Sequence, residues 1–141
     1  MYPPSPPHDP DPGTPRELLV TSMVVSSRFV VIGLRGHLGP STYRALKERL
    51  AWALTLMLPP RIIVDVSELA SARAEGVTVL RNGADHARAA GGLLLVCGAT
   101  DVLGPAHAEE GGPLDVRSSM GEAIREIALH GGDQGSGQPR G

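Results

Sequence analysis

Residues 64–76, Val64-Asp65-Val66-Ser67-Glu68-Leu69-Ala70-Ser71-Ala72-Arg73-Ala74-Glu75-Gly76, open as the end of a buried strand and close as the start of a helix. Upstream, Arg61-Ile62-Ile63-Val64-Asp65-Val66 is a short continuous apolar run with one acid, the pattern of a central strand covered on at least one face. Downstream, Val77, Leu80, Ala84 and Ala87 recur at helical spacing and form one apolar stripe. Gly91-Gly92 can supply the left-handed residue that ends this helix. Gly83 lies inside it, at a cost of about 1 kcal/mol relative to Ala. The junction between strand and helix, Arg73-Ala74-Glu75-Gly76, carries no hydroxyl, thiol or imidazole.

The same pattern extends outward. Leu18 to Ser27 is β-branched and partly alternating, and Phe29 to Leu34 is a second apolar run. Ser26-Ser27-Arg28 between them suits a hairpin turn, although without the Asn-Gly signal. Gly36-His37-Leu38-Gly39-Pro40 breaks the chain. Ser41 is then the expected N-cap of a helix that runs to about Leu58. Leu46, Leu50, Ala53 or Leu54, and Met57 form its apolar stripe, and Pro59-Pro60 stops it. Leu93 to Cys97 is a further buried strand. Residues 101–112 leave room for only a short helix between Gly-Pro and Gly-Gly breaks. Leu114 to Ser118 suits a short edge strand. Gly121 to Leu129 is a last amphipathic helix, with Ala123, Ile124, Ile127 and Ala128 inward. Strands alternating with helices after an opening hairpin give an α/β domain with a mixed, mostly parallel sheet of four to five strands and about four helices.

Composition bounds the rest. Residues 1–15 hold seven prolines, and residues 131–141 are Gly-rich and polar. Neither segment can bury enough apolar surface to offset the entropy of ordering. The expected division is a Pro-rich tail over 1–16, one domain over 17–130 and a Gly-rich tail over 131–141. A net charge of −2 with mixed signs lacks the basic patch that a nucleic-acid partner would require. The single cysteine, Cys97, excludes a disulfide framework within the chain and fits a reducing, cytoplasmic setting. The N-terminus has no basic segment followed by an apolar one, so no secretory signal is expected. No apolar run approaches the roughly 20 residues of a membrane span.

Catalytic and cofactor motifs are missing. The histidines at 8, 37, 86, 107 and 130 are scattered, and none pairs with another His or Cys at metal-ligand spacing. No phosphate loop, dinucleotide fingerprint or nucleophile elbow occurs, so no cofactor is expected. Asp65 stands where a phospho-accepting aspartate could stand, but that chemistry needs a lysine after a later strand. The only lysine is Lys47, in the first helix. Asp65 is therefore expected to accept hydrogen bonds from nearby backbone amides. Glu109-Glu110 reads as a solvated turn.

The opening stretch resembles the signature of STAS domains, the family named for sulfate transporters and anti-sigma factor antagonists, whose usual pattern is close to D-L-S-G-V-x-F-[IL]-D-S-S-G-L. Asp65, Ser67 and Gly76 match outright; Val66, Leu69 and Val77 match in kind. Arg35-Gly36-His37-Leu38 resembles the G-x-L before the family's first helix. Ala90-Gly91-Gly92 followed by Leu93–Val96 resembles the Gly-Gly junction feeding the next strand, and Gly121-Glu122-Ala123-Ile124 the closing helix. The resemblance covers residues 17–130, most weakly over 101–118.

The resemblance implies a STAS fold and a non-enzymatic role in bacterial sigma-factor partner switching. In stand-alone members a serine at this junction is phosphorylated by a partner that is both a histidine-kinase-like ATPase and an anti-sigma factor. Phosphate, at about −1.5 to −2 charges, breaks the complex. Here the family's Asp position is Arg73, its phospho-acceptor position is Ala74 and the neighbouring serine position is Glu75. Loss of a hydroxyl cap at Ala74 is expected to cost about 0.5–2 kcal/mol, partly recovered by Glu75 against the helix dipole. Ser67 and Ser71 lie before the helix and are expected to stay unmodified.

The implied docking surface is the loop from His37 to Ser41, the junction Arg73, Ala74, Glu75 and Gly76, and the outer face of the second helix, Thr78, Arg81, Asn82 and Asp85. Two consequences stand open. Ala74 leaves the protein permanently able to bind its partner, or Arg73 and Glu75 redirect or abolish binding to kinase-type partners. A different reading makes the chain a non-phosphorylated STAS subunit, a fixed structural partner of a transport ATPase or a larger signalling assembly. A third, a small α/β enzyme using Asp65 and Glu75, has no nucleophile–base pair behind it.

Overall fold

The structure, a computed structural model, describes residues 18–98, 103 and 114–135. The expectations for the N-terminal tail, the short helix over 101–112, His8, His107, Glu109-Glu110 and residues 136–141 lie outside the described residues, Leu103 excepted. Five strands and three helices are described: β1 (Leu18–Val25), β2 (Phe29–Leu38), α1 (Tyr43–Leu56), β3 (Arg61–Ala72), α2 (Ala74–Ala89), β4 (Leu93–Cys97), β5 (Asp115–Arg117) and α3 (Met120–Gly135). The sheet order is β1-β2-β3-β4-β5. Only β1–β2 is antiparallel; the other pairs are parallel. This is the expected mixed, mostly parallel α/β sheet.

Period-2 alternation sends each strand's side chains to two separate cores. Val30, Ile32 and Leu34 of β2, Ile62, Val64 and Val66 of β3, and Leu94 and Val96 of β4 face α1 and α2. Leu103 and Leu114, on the way from β4 to β5, join that core. Phe29, Ile63, Leu95 and Cys97 face the other way, onto Ala123 and Ile127 of α3. Fully burying a Leu or Ile side chain stabilises by about 1.5–3 kcal/mol, so this two-faced burial is what holds the central strands. Arg117 of β5 ties α3 to the sheet. Its Nε donates to Glu126 Oε1 at 2.9 Å, and its Nη2 lies 2.9 Å from Oε2.

The opening turn forms as expected, but without its usual residues. Ser26 and Ser27 both adopt left-handed backbone, at φ 51° and 57°, and the Arg28 amide donates to Val25 O at 2.8 Å. Such a turn matches the twist of the flanking strands better than its mirror image does.

α1 keeps its predicted stripe: Leu46, Leu50 and Ala53 are buried, with Leu54 and Met57 packed at the edge of the core. It ends at Leu56, two residues before the expected stop. Its N-cap is Thr42 rather than Ser41. Ser41 is exposed. The Thr42 hydroxyl accepts from the Gly39 amide at 3.0 Å and donates to His37 O at 2.7 Å, so it braces the turn rather than the helix amides.

α2 ends as the sequence predicts. Gly91 takes φ 81°. The Gly91 amide donates to Arg88 O at 3.0 Å and the Gly92 amide to Ala87 O at 2.7 Å, a complete Schellman closure. Gly83 has a packing reason: a Cβ there would lie 3.0 Å from Leu50 Cδ1 and 3.3 Å from Leu94 Cδ1. Glycine lets α2 close onto α1 and β4.

Three expectations are corrected. β3 does not end near Val66 but runs to Ala72. β4 leaves it at Asp65, while β2 continues alongside to Leu38↔Ala72. A strand paired on one side leaves its other edge to solvent and so tolerates Ser67, Glu68 and Ala70, all exposed. α3 is longer than its apolar stripe, and its backbone continues through residues 131–135. Ile124, expected inward, is 38 % exposed because it lies beside α3's contact with the sheet rather than under it.

Candidate functional site

The ends of β2 and β3 and the start of α2 meet at one edge of the sheet. β3 and β2 part company at two register shifts, between Gly33 and Arg35 and between Gly36 and His37. At the first, Asp65 Oδ1 accepts from the Ser67 amide at 2.9 Å. The acid does what the sequence led us to expect, within a strand irregularity rather than in a loop. Gly98, at φ 105°, closes against it: a Cβ there would lie 2.7 Å from the Ser67 nitrogen and 3.0 Å from Asp65 Oδ1. Directly below, burial and then the Asp65 carboxylate push the Cys97 thiol up to about 11. Cys97 is fully buried, and a thiol held protonated is a packing group rather than a nucleophile.

Beyond the second shift, His37 Nδ1 and Ser71 Oγ are 2.8 Å apart, joining the last turn of pleat in β2 to that in β3. The Arg73 amide then donates to Leu38 O at 2.8 Å. That bond fixes the direction in which the chain leaves β3, and the next residue, Ala74, begins α2. The helix closes at once: the Gly76 and Val77 amides donate to Arg73 O at 3.0 and 3.1 Å. Gly76 is pressed onto the buried Leu38, with no room for a Cβ. Gly39 is similarly close to Arg73, 3.1 Å from its Cγ.

The N-cap therefore lies one residue earlier than expected. Arg73 is the N-cap, in extended backbone at φ −106° and ψ 167°, and its side chain makes no capping hydrogen bond. Ala74 is the first helical residue, so a hydroxyl there was not the missing cap. Glu75 is the acid of the first turn, where it meets the positive end of the helix dipole.

The expected docking residues divide by exposure. Arg73, Ala74, Glu75, Thr78, Asn82, Asp85 and Ser41 are exposed, and His37 is half-buried. Two expectations fail: Gly76 is buried under Leu38, and Arg81 is only 8 % exposed. Arg81 follows Val77 by four residues and so turns toward the core, its long aliphatic stem filling space there.

Sequence reading held Leu38 and Gly39 only as part of the loop from His37 to Ser41, and it missed Thr42 and a groove between α1 and α2. The groove encloses about 690 Å³. Leu50, Leu54 and Val79 supply apolar walls, and Glu75, Lys47 and His86 are among its polar rim. Because Glu75 and Thr78 line it, the groove runs directly from the junction at Ala74. Its signal was present in the sequence as the second stripe of α2, Glu75-Thr78-Val79-Asn82-His86. Among the described residues no three His, Cys, Asp or Glu side chains gather to hold a metal ion. No helix among them is long and apolar enough to cross a membrane.

This arrangement is an α/β fold similar to that of anti-sigma factor antagonists of known structure. The chain's structure is similar to that of an anti-sigma factor antagonist from Mycobacterium paratuberculosis, with a TM-score of 0.63, 11 % identity, and coverage of 79 % of this chain and 94 % of that one. It is also similar to the anti-sigma factor antagonist SpoIIAA in its unphosphorylated form, with a TM-score of 0.61, 18 % identity, and coverage of 78 % and 98 %. No protein-family model and no curated protein matches the sequence. The likeness is one of fold, and it agrees with the fold implied by the signature around residues 64–76.

Proposed function

We propose that this protein is a binding regulator of the anti-sigma factor antagonist kind, which docks an anti-sigma partner of the histidine-kinase-like ATPase type through a surface that carries no phosphate switch. The observation that carries this reading is the position of Ala74. It is exposed, it opens α2, and the Arg73–Leu38 backbone bond holds it beside the turn into α1. The junction thus keeps a fixed shape while its central side chain has no oxygen to modify. Arg73 and Glu75, both exposed, flank it with one charge of each sign. The docking surface comprises His37, Ser41, Arg73, Ala74, Glu75, Thr78 and Asn82, and extends into the groove between α1 and α2. Binding is constitutive: a partner that reads shape and fixed charge meets the same surface at all times.

The test is affinity capture from a lysate of the source organism, with the wild-type chain and the double variant Arg73→Asp/Ala74→Ser as baits. The expected result is that wild type retains a kinase-type ATPase at least as well as the double variant. Capture by the double variant alone would mean that Arg73, or the missing hydroxyl at Ala74, excludes that class of partner. A stable one-to-one complex with a transport ATPase or a large assembly would favour the structural-subunit reading instead.

A further inference from the structure

We infer that β1 is a self-association edge, and that a second copy of this chain pairs with it antiparallel about a two-fold axis, joining two sheets into one of ten strands. β1 is the outer strand of the sheet, paired to β2 alone among the described residues. Outer strands ordinarily resist pairing by being short, charged, bulged or interrupted by proline. β5, the other edge, is three residues long. β1 has none of these defences. Its eight residues, LLVTSMVV, contain no charge and no proline, and they pair with β2 without a register break from Leu18↔Gly36 to Val25↔Phe29. Leu19, Met23 and Val24 are 55 %, 59 % and 44 % exposed, the largest apolar exposure gathered on any strand among the described residues.

The occupant follows from the symmetry of the strand itself. A two-fold axis perpendicular to the sheet keeps each side chain on its own face, so only residues of the same parity can oppose each other. Centring the axis on Thr21 sets Thr21 against Thr21, Leu19 against Met23 and Leu18 against Val24. The two most exposed side chains of β1 then cover each other on the face that α3 leaves open. Thr–Thr and apolar cross-strand pairs are each favourable, and no like charges meet. Centring on Ser22 instead forms as many apolar pairs, Leu19 with Val25 and Val20 with Val24, but sets Met23, the most exposed side chain of the strand, against Thr21. On the other face, Glu48 and Arg49 of α1 line the groove beside this edge, one of each sign. β1 lies across the sheet from α2, so pairing leaves the surface around Ala74 accessible.

The experiment is sedimentation velocity on the full chain from micromolar to several hundred micromolar. The expected result is a concentration-dependent species of twice 14.7 kDa, lost in Thr21→Lys, whose circular dichroism stays that of wild type. Under mild oxidation Thr21→Cys is expected to form a disulfide-linked dimer, and Leu19→Cys, four residues off register with its own copy, is not. A chain that sediments as a monomer at every concentration overturns the proposal, including the case in which β1 accepts a strand only from another protein. A dimer that survives Thr21→Lys and fails to cross-link at Thr21 also overturns it.

Discussion

Leu38 at the end of β2 and Gly76 in the first turn of α2 are in contact at the limit of close approach: a Cβ on Gly76 would lie 2.7 Å from Leu38 Cδ2 and closer still to Cγ. Leu38 is fully buried, so it cannot swing aside into solvent. Gly76→Ala is therefore expected to destabilise the protein by about 1–3 kcal/mol through overpacking. In a Leu38→Ala background the same change should cost much less, since the obstructing atoms are gone. Chemical denaturation of the four proteins of this cycle measures the coupling; equal costs in both backgrounds would contradict the packing argument.

Arg73 occupies a helix N-cap without capping it. Arg73→Asp supplies an acceptor for the first-turn amides and a negative charge at the positive end of the dipole. It is expected to raise stability by about 0.5–2 kcal/mol. Ala74→Ser alone, one position into the helix, should change stability much less. Thermal melts of the two single variants separate the positions.

The β1–β2 turn asks two serines to take left-handed backbone, a region that costs most residues about 1–2 kcal/mol each. Ser26→Asn/Ser27→Gly is expected to stabilise by about 1–2 kcal/mol, measured by urea denaturation with unchanged m-value. No gain would mean that the turn is held in another conformation.

Cys97 couples stability to alkaline pH. Its folded thiol is raised from an ordinary 9.0 to about 11, so above pH 9 the unfolded chain releases a proton that the folded chain retains. Stability from this group is fully present below pH 9 and is lost as pH rises through about 11. Cys97→Ala should flatten that decline, whatever it does to stability at pH 7. Thiol reagents at pH 8 are expected to label Cys97 only after unfolding.

The parts of the fold that were legible in the sequence are those where one physical signal dominated. Ile62 to Val66 and Leu93 to Cys97 are buried on both faces and read as continuous apolar runs. Val77, Leu80, Ala84 and Ala87 lie on one helical stripe, and all four are buried. The Gly91-Gly92 stop follows from backbone geometry alone. The errors came where residue type and environment part. Ser67 to Ala72 is polar enough to read as loop, yet pairing with β2 on one side is sufficient to keep it a strand. Arg81 reads as solvent-facing by charge but is buried by its place on the stripe. Ser41 and Thr42 are chemically alike, and only the bonds to Gly39 and His37 select the second. At the site, the exposed junction at Ala74 was legible from the strand-to-helix change of pattern. The groove beside it showed one wall in the sequence, the second stripe of α2, but its closure needed the crossing of α1 and α2, which no single segment encodes.

The most direct test of a docking surface without a phosphate switch is the effect of Mg-ATP on the captured complex. Wild type and Arg73→Asp/Ala74→Ser are each loaded with the ATPase partner, ATP is added, and released bait is followed by intact mass. The account predicts that the double variant gains one phosphate and dissociates, while wild type keeps its unmodified mass and remains bound. Release of wild type by ATP, or a phosphate on Ser67 or Ser71, would contradict it.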